Sequence, residues 1–405
     1  MAFIETEILI VGAGPVGGSI AALLTNQGVQ CTLLDARDLN SEPEKLDPRG
    51  LALTHASKNI LSSVGVWEKL PDNRLGKVMT MKAWDEKGDG QINFHANDIG
   101  HSYLAYIIEQ RVLEDHLWQC LDDIQSLNFQ TGTRVNAISR ESKHVLVSTD
   151  KGEQFSAKLL IAADGSNSHC RQLAGVIHSE HDYLQTALAC TVETELPHEN
   201  VARQRFLSEG PLAFLPMAEA HHSSIVWSMS PERAQELLKI DKDDFMAILE
   251  SEFDSTLGKI HEMKGLCAFP LKRAQANTYC LDRFALIGDA AHSIHPLAGQ
   301  GANLGLLDAA CLAEVILQAK GKNRDPGARV VLRKYERWRK GENMQMMRIM
   351  DGFKYLFENQ AKPWPNLRNY GLDMVNSITP LKHIIMRRAM GLEGDLPIIA
   401  RFLPQ

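Results

Sequence analysis

The chain has 405 residues, with 43 Lys and Arg against 50 Asp and Glu and a formal net charge of −7. That acidic balance excludes a nucleic-acid binder that works by broad phosphate neutralisation. The length is large for one core and predicts two lobes with additional helix, while 44% hydrophobic and 23% charged residues are ordinary for a globular protein.

Seven cysteines are scattered without a C-x-x-C pair, so neither a zinc site nor a disulfide framework is expected, and the odd count fits a reducing compartment. Glu5 and Glu7 stand where a signal peptide carries positive charge, and the apolar run stops at Gly12. No stretch approaches the roughly 18 uncharged apolar residues of a membrane span. A cytoplasmic protein is the expectation.

In chain order, residues 7–11 read as a buried strand, Val16–Thr25 as a helix, and Val29–Leu34 as a second buried strand ending at Asp35. This is a β-α-β unit of about 30 residues. The polar segment Asp38–Pro48 precedes a helix over His55–Val64. "VMTMKAW" and "QINFHA" flank "DEKGDG", which predicts a hairpin with its turn at Gly88-Asp89-Gly90. Ile108–Ile124 reads as a helix with Gln110 and Arg111 at its start. A strand, a turn at Asp150-Lys151-Gly152, another strand and a buried strand Leu159–Ala163 follow. Residues 178–267 are strand-rich with one helix around Ala234–Phe253. Phe284–Ile287 is a short strand, a long helix begins near Gly301, and residues 325–405 are helical with an interruption near Pro363 and Pro365.

Three motifs carry chemistry. In Gly12-Ala13-Gly14-Pro15-Val16-Gly17, Gly12 permits a tight turn, Gly14 lets a pyrophosphate approach the backbone, and Gly17 lets helix and strand pack closely. The helix N-terminus then faces the phosphates. Asp35, followed by Ala36 and Arg37, is placed to accept hydrogen bonds from a ribose hydroxyl. The alternative is a glycine turn packed on its own sheet, and the turn alone does not separate FAD from NAD. The second motif is Asp164-Gly165 with Ser168 and Arg171 behind it. The third is Gly288-Asp289, six residues, Pro296, then Gly299-Gln300-Gly301-Ala302-Asn303 opening the long helix. An acid after a strand suits the ribityl hydroxyls of a flavin. A helix N-terminus beside the ring favours the negative charge of reduced flavin by up to ~2 kcal/mol. The alternatives are a turn aspartate for Asp164 and an N-cap for Asp289.

In this order the motifs resemble the FAD-dependent aromatic hydroxylases related to p-hydroxybenzoate hydroxylase, in the branch acting in ubiquinone biosynthesis. The resemblance runs from Ile8 to about Glu314. "DPRGLALTHASKNILSSVGVW" (Asp47–Trp67), "EGPLAFLPM" (Glu209–Met217) and "SSIVWSMSPERA" (Ser223–Ala234) are similar to the 2-polyprenyl-6-methoxyphenol hydroxylases of that branch. It implies an α/β, three-layer (ββα) Rossmann-like FAD/NAD(P)-binding fold with an interleaved β-rich substrate domain and a C-terminal helical region. The expected FAD-binding domain is discontinuous (1–75, 105–177 and 268–320), the substrate domain covers 76–104 and 178–267, and the helical region 321–405.

The resemblance also implies that Arg49 lies near the flavin and that Arg111 reaches its ribose and pyrophosphate. It implies bound FAD, with NAD(P)H and O2 as cosubstrates and a flavin C4a-hydroperoxide that an electron-rich phenol attacks. With one complete G-x-G-x-x-G, NAD(P)H is expected to visit transiently. A phenol is already activated, so no catalytic acid or base is named; His292 and His295 read as packing or hydrogen-bonding residues. Phe214, Pro216 and Trp227 are expected toward the substrate, against the alternative of core aromatics and a turn proline.

A polyprenyl tail would gain ~0.8 kcal/mol per buried methylene in an apolar tunnel. "LKHIIMRRAM" sets Leu381, Ile384, Ile385 and Ala389 on one helical face. Packing on its own protein is the favoured reading, with peripheral contact at the inner membrane or assembly with other ubiquinone-biosynthesis proteins as the alternative. A flavin oxidase or dehydrogenase without oxygen insertion, a sister hydroxylase acting at another ring position and a non-catalytic FAD protein remain rivals. The W-x-W-x-I-P signature of flavin halogenases is missing from the tryptophan neighbourhoods.

Overall fold

A computed structural model describes residues 3–38, 49–86, 90–294, 299–358 and 378–401. The first part of the chain forms β1 (Ile4–Val11), α1 (Pro15–Thr25), β2 (Cys31–Leu34), β3 (Gly50–Leu53), α2 (His55–Ser63), β4 (Gly76–Val78), β5 (Thr80–Asp85), β6 (Gln91–His95), β7 (Ala105–Glu109) and α3 (Gln110–Asp122). There follow β8 (Leu127–Gln130), β9 (Val135–Arg140), β10 (Val145–Thr149), β11 (Gln154–Ala162), α4 (His169–Leu173), β12 (His178–Thr194), β13 (Val201–Leu207), β14 (Gly210–Pro216) and β15 (His222–Met229). The last part holds α5 (Pro231–Leu237), α6 (Lys242–Glu252), β16 (Ile260–Ala276), β17 (Cys280–Leu281), β18 (Phe284–Leu286), β19 (His292–Ser293), α7 (Gln300–Gly321), α8 (Arg329–Glu358) and α9 (Thr379–Ala389).

One sheet runs β17-β18-β11-β1-β2-β8, with β10 and β9 added to β11 as an antiparallel meander. Its centre is parallel, β1 pairing with both β11 and β2. Parallel strands covered on both faces need unbroken apolar runs. Ile8 to Val11 and Leu159 to Ala162 meet that need, and all eight are buried. A second sheet runs β19-β16-β12-β15-β14-β13-β5-β6, and a small third one β3-β7-β4. One face of the second sheet is covered by α5 and α6; Phe245 and Leu249 of α6 and Phe253 just after it share a core with Phe214 and Trp227.

Several expectations change in detail. The two strands expected between Gly152 and Ala163 are one, β11, because its pairing with β10 runs on into its pairing with β1. Ile108 belongs to β7, paired with Leu51 of β3, so α3 starts two residues later. The single helix expected around 234–253 is two: Ser230 caps α5, and Asp241 restarts the chain as α6 by accepting from the Asp244 N–H. One helix, α7, is after all long and apolar enough to cross a membrane. In the fold it packs between α1 and α8, and Asp308 within it is fully buried and paired. The hairpin turn at residues 87–89, His295, Pro296 and the interruption near Pro363 and Pro365 lie outside the described residues.

Candidate active site and cofactor cradle

The end of β1 turns at Gly12, whose φ of +103° is open mainly to glycine. A Cβ there would stand 2.3 Å from the Ala163 carbonyl oxygen, and one on Gly17 1.8 Å from the Gly12 oxygen. Gly14 is the N-cap of α1, which has no capping side chain and no acidic residue in its first turn. Those backbone N–H groups are therefore left for an anion. Pro15 opens the helix with a fixed φ.

Asp35 is buried beside this turn: Oδ2 accepts from the Ala13 N–H at 2.6 Å and Oδ1 from the Arg37 N–H at 2.8 Å. Ala36 is exposed at the head of the following loop. Arg37 bridges Asp35 and Glu114, at 3.1 and 2.8 Å. The Trp118 indole N–H donates to the Ala13 carbonyl at 2.7 Å. Its ring also has the Arg37 and Arg111 guanidinium carbons 4.9 and 5.0 Å from its centroid. Arg111 thus stands beside the glycine turn, held by Asp115 at 2.8 Å. Sequence reasoning misses Glu114 and Trp118. The available signal is the spacing of Gln110, Glu114 and Trp118, i, i+4, i+8 along one face of α3.

The other two motifs meet this turn from behind. The Ala163–Asp164 backbone is what leaves no room for a side chain at Gly12. Asp164 accepts from the Ser168 hydroxyl at 2.5 Å and the Cys170 N–H at 2.9 Å, so both carboxylate oxygens are engaged within the turn. That geometry gives Asp164 the role of a turn aspartate, with a further lone pair left on each oxygen. Gly165, at φ +80°, lets the chain reverse next to it. Arg171, buried, donates to the carbonyls of Ser166 and Ala290, both at 2.8 Å. It ties the Asp164-Gly165 turn to Gly288-Asp289.

Asp289 opens on a cavity, yet burial by the surrounding protein raises its carboxyl pKa, with His292 and Arg49 pulling the other way. Gly299, at φ +58°, is the N-cap of α7, again without a capping side chain or a first-turn acid. A Cβ on Gly301 would meet no atom within 4 Å, and Gln300 and Ala302 line the same cavity. The Asn303 side chain is engaged within the fold: its Oδ1 accepts from the Thr54 N–H and the Ser57 hydroxyl, and its Nδ2 donates to the Ala52 and Gly299 carbonyls. The amide is used up holding β3 and α2 to α7.

Behind Gly288 lies a buried polar network. Asp308 accepts from the Gly288 N–H at 3.1 Å, lies 2.5 Å from His292 Nε2, and accepts from Arg339 Nε at 2.8 Å. Arg339 donates on to Asn343 at 2.8 Å. Burial alone would raise the Asp308 pKa, but His292 and Arg339 outweigh it and bring the value down to about 2. His292 is thus a hydrogen-bonding residue of the scaffold.

The cavity, of about 390 Å3, lies between the free face of the second sheet, β3 and β7, the start of α7, and α9. Arg49, Gln110 and Asp289 stand in its wall. The sheet contributes Ala189, Ala202, Gln204, Ala213, Leu215, Val226 and Ser228. Phe214 and Trp227 do not reach it. Side chains alternate across a strand, so neighbours of Ala213, Leu215, Val226 and Ser228 face the opposite layer. There Phe214 stacks on Phe253 at 3.8 Å, and Trp227 meets Phe245 edge-on at 6.3 Å. Pro216, of the same parity as Phe214, is buried with its carbonyl against Gly76. The expectation that these three face the substrate fails, and the small residues between them hold that place instead. On α9 the inward face is Ile385, Met386, Ala389 and Met390, whereas Ile384 is exposed. The helix packs on its own protein, with a different face from the one expected; the side chain of Leu381 is outside the described residues.

The glycine turn thus packs on the Asp164 turn and on Gly288, and Asp289 and the start of α7 carry the arrangement to one apolar cavity. Residues 5–349 match the FAD binding domain family, FAD_binding_3, and the chain belongs to it. The protein is an FAD-dependent monooxygenase. Its fold is that of p-nitrophenol 4-monooxygenase PnpA from Pseudomonas putida DLL-E4, with a TM-score of 0.78 and 18% identity over 96% of this chain and 99% of that one. It is 34% identical to ubiquinone hydroxylase UbiL of Rhodospirillum rubrum, over 98% of this chain and 93% of that protein. With the 3-demethoxyubiquinol 3-hydroxylase of Escherichia coli it shares 33% identity over 96% and 99% of the two chains. The mitochondrial ubiquinone biosynthesis monooxygenase COQ6 of Danio rerio is likewise 33% identical, over 94% of this chain and 88% of that one. The site fits FAD on structural grounds: two helix N-termini without caps, and a turn at Gly12 and Gly17 with no space for a side chain.

Proposed function

We propose that the protein hydroxylates the aromatic ring of a polyprenyl phenol of the 2-polyprenyl-6-methoxyphenol type in ubiquinone biosynthesis, using NAD(P)H and O2. The observation that carries this reading is the cavity: apolar, opening beside Asp289 and the start of α7, and lined by Ile385 and Met386 of α9 and by Met390 just after it. Ala189, Ala202 and Ala213 make its floor, and small side chains are what leave room for a ring with an apolar tail. Each methylene buried there contributes ~0.8 kcal/mol.

FAD, when bound, supplies the redox chemistry that activates oxygen. Its pyrophosphate would lie against the N–H groups of Gly14 and Val16 at the start of α1, with Arg37 and Arg111 flanking, and Asp289 and Arg49 would stand on the cavity side. The chain's own part is placement and exclusion of water: the apolar walls keep solvent from the reacting ring, and the α7 N-terminus stabilises negative charge beside it. The same reading places the protein at the cytoplasmic side, where exposed Ile384 with Arg387 and Arg388 of α9 would give peripheral contact with a membrane or with other proteins of the pathway.

The test is incubation of the yellow protein with NAD(P)H, oxygen and 2-geranyl-6-methoxyphenol. A product heavier by one oxygen, with its position fixed by NMR, supports the reading. Hydrogen peroxide with no new ring hydroxyl would support an oxidase instead. Deleting the gene should cause the 2-polyprenyl-6-methoxyphenol to accumulate, and build-up of a different intermediate would move the reaction to another ring position.

A further inference from the structure

Gln204 is a polar side chain in a place that offers it nothing. It lies on β13, is 6% exposed, and stands in the cavity wall. Its register partners are Ala213 on β14 and Ala83 on β5, neither of which carries a polar side chain. Its carboxamide makes no hydrogen bond with any described residue. Buried amides are normally satisfied, so one left open toward a cavity marks where a ligand completes it. Ser228 on β15 is another neutral polar side chain of that sheet face, 2% exposed and also in the wall.

We infer that Gln204 is a substrate-positioning residue: its carboxamide hydrogen-bonds an oxygen substituent of a neutral aromatic ring and so selects the ring carbon presented for hydroxylation. An amide carries both an acceptor and two donors, which suits a hydroxyl next to a methoxy group. It does not suit a carboxylate, which calls for a cation, and Arg49 is the one Lys or Arg among the described residues of the cavity wall. Arg49 stands at the Asp289 end. The substrate class is therefore a phenol without a carboxylate. The inference rests on the proposed hydroxylation, which it deepens by naming what reads the ring.

The experiment compares wild type with Gln204→Leu and, should that fail to fold, Gln204→Met, all loaded with FAD. The probes are 2-geranyl-6-methoxyphenol and its 4-carboxylated counterpart. The wild type should bind the neutral probe and not the carboxylated one, as read by titrating the flavin absorbance. In the variants affinity for the neutral probe should fall about tenfold, which is about 1.4 kcal/mol. Hydroxylated product per NAD(P)H consumed should drop, with hydrogen peroxide making up the balance, and a second regioisomer should appear. Thermal stability should stay level, because the carboxamide faces the cavity and has no hydrogen bond within the described protein to lose. If the variants keep affinity, coupling and regiochemistry while the wild type hydroxylates the probe, the positioning role is overturned and the hydroxylase reading stands. A variant that melts well below wild type with unchanged regiochemistry also overturns it, since the amide is then structural. A wild type that binds and hydroxylates neither probe takes both readings down.

Discussion

Arg339→Met tests the buried network behind Gly288. Asp308 and Arg339 are 0% and 2% exposed, and the arginine supplies both a charge and an Nε donor to the carboxylate at 2.8 Å. Removing it leaves the acid with His292, the Gly288 N–H and the Asn343 amide in a buried site without a permanent cation. Breaking a buried pair from one side costs about 3–5 kcal/mol, because the remaining charge is uncompensated. Asp308 should also lose the cation that helps bring its pKa down to about 2. A carboxyl lowered on folding stabilises the protein fully above its unfolded pKa near 3.9 and loses that contribution as pH falls through its folded value. The variant should therefore lose its Asp308 contribution at a higher pH than the wild type. Urea unfolding of the FAD-loaded protein at neutral pH and at pH 4 reads both effects, and retained flavin absorbance reports the Gly288 turn. A loss below about 1 kcal/mol at neutral pH, with full flavin retention, would refute the reasoning. A double variant that also replaces Asp308 with Asn should cost less than the two single losses added together.

Gly12→Ala puts a Cβ 2.3 Å from the Ala163 carbonyl at a φ of +103°; the protein should be made in low yield or colourless, and a normal flavin-to-protein absorbance ratio would contradict the cradle. Ala213→Trp should fill the cavity, raising KM for the geranyl phenol while FAD content stays unchanged. Phe214→Ala should do the converse, costing about 3–5 kcal/mol of stability with little change in KM, since the ring stacks on Phe253 away from the cavity. His55, buried against Tyr103, has its pKa lowered to about 4, burial being the main cause. It stays neutral in the fold while the unfolded chain takes up a proton below about pH 6.5. Stability should hold above that pH and decline toward pH 4 by up to about 3 kcal/mol; a His55→Gln variant with the same decline would refute the assignment.

The periodicity of the chain made the parallel core legible. Ile8 to Val11 and Leu159 to Ala162 are short unbroken apolar runs stopped by Gly12 and by Asp164-Gly165, the pattern of strands covered on both faces. The glycine turn was legible because Gly12 and Gly17 obey hard steric limits that leave a mark in sequence. The cavity was not. Along β14 and β15 the face toward it is written in Pro211, Ala213, Leu215, Val226 and Ser228, and there the large aromatics Phe214 and Trp227 draw attention to the wrong side. Parity within β14 and β15 distinguishes the two faces, but which parity meets the cavity depends on where α5 and α6 pack. Asp164 and Asn303 show a second limit. A polar residue in a motif can serve a ligand or hold its own turn, and only hydrogen-bond geometry separates the two.

Arg171 holds a carbonyl contributed more than a hundred positions further along, at Ala290. A ribosome must therefore deliver about three quarters of the polypeptide before that clasp can close, and α7 emerges later still. Until then the early β-α-β unit waits without the Gly288 turn and α7, both of which pack on Val16. Pairings between such remote segments slow folding, so the yellow colour should develop only after release of a nearly complete chain.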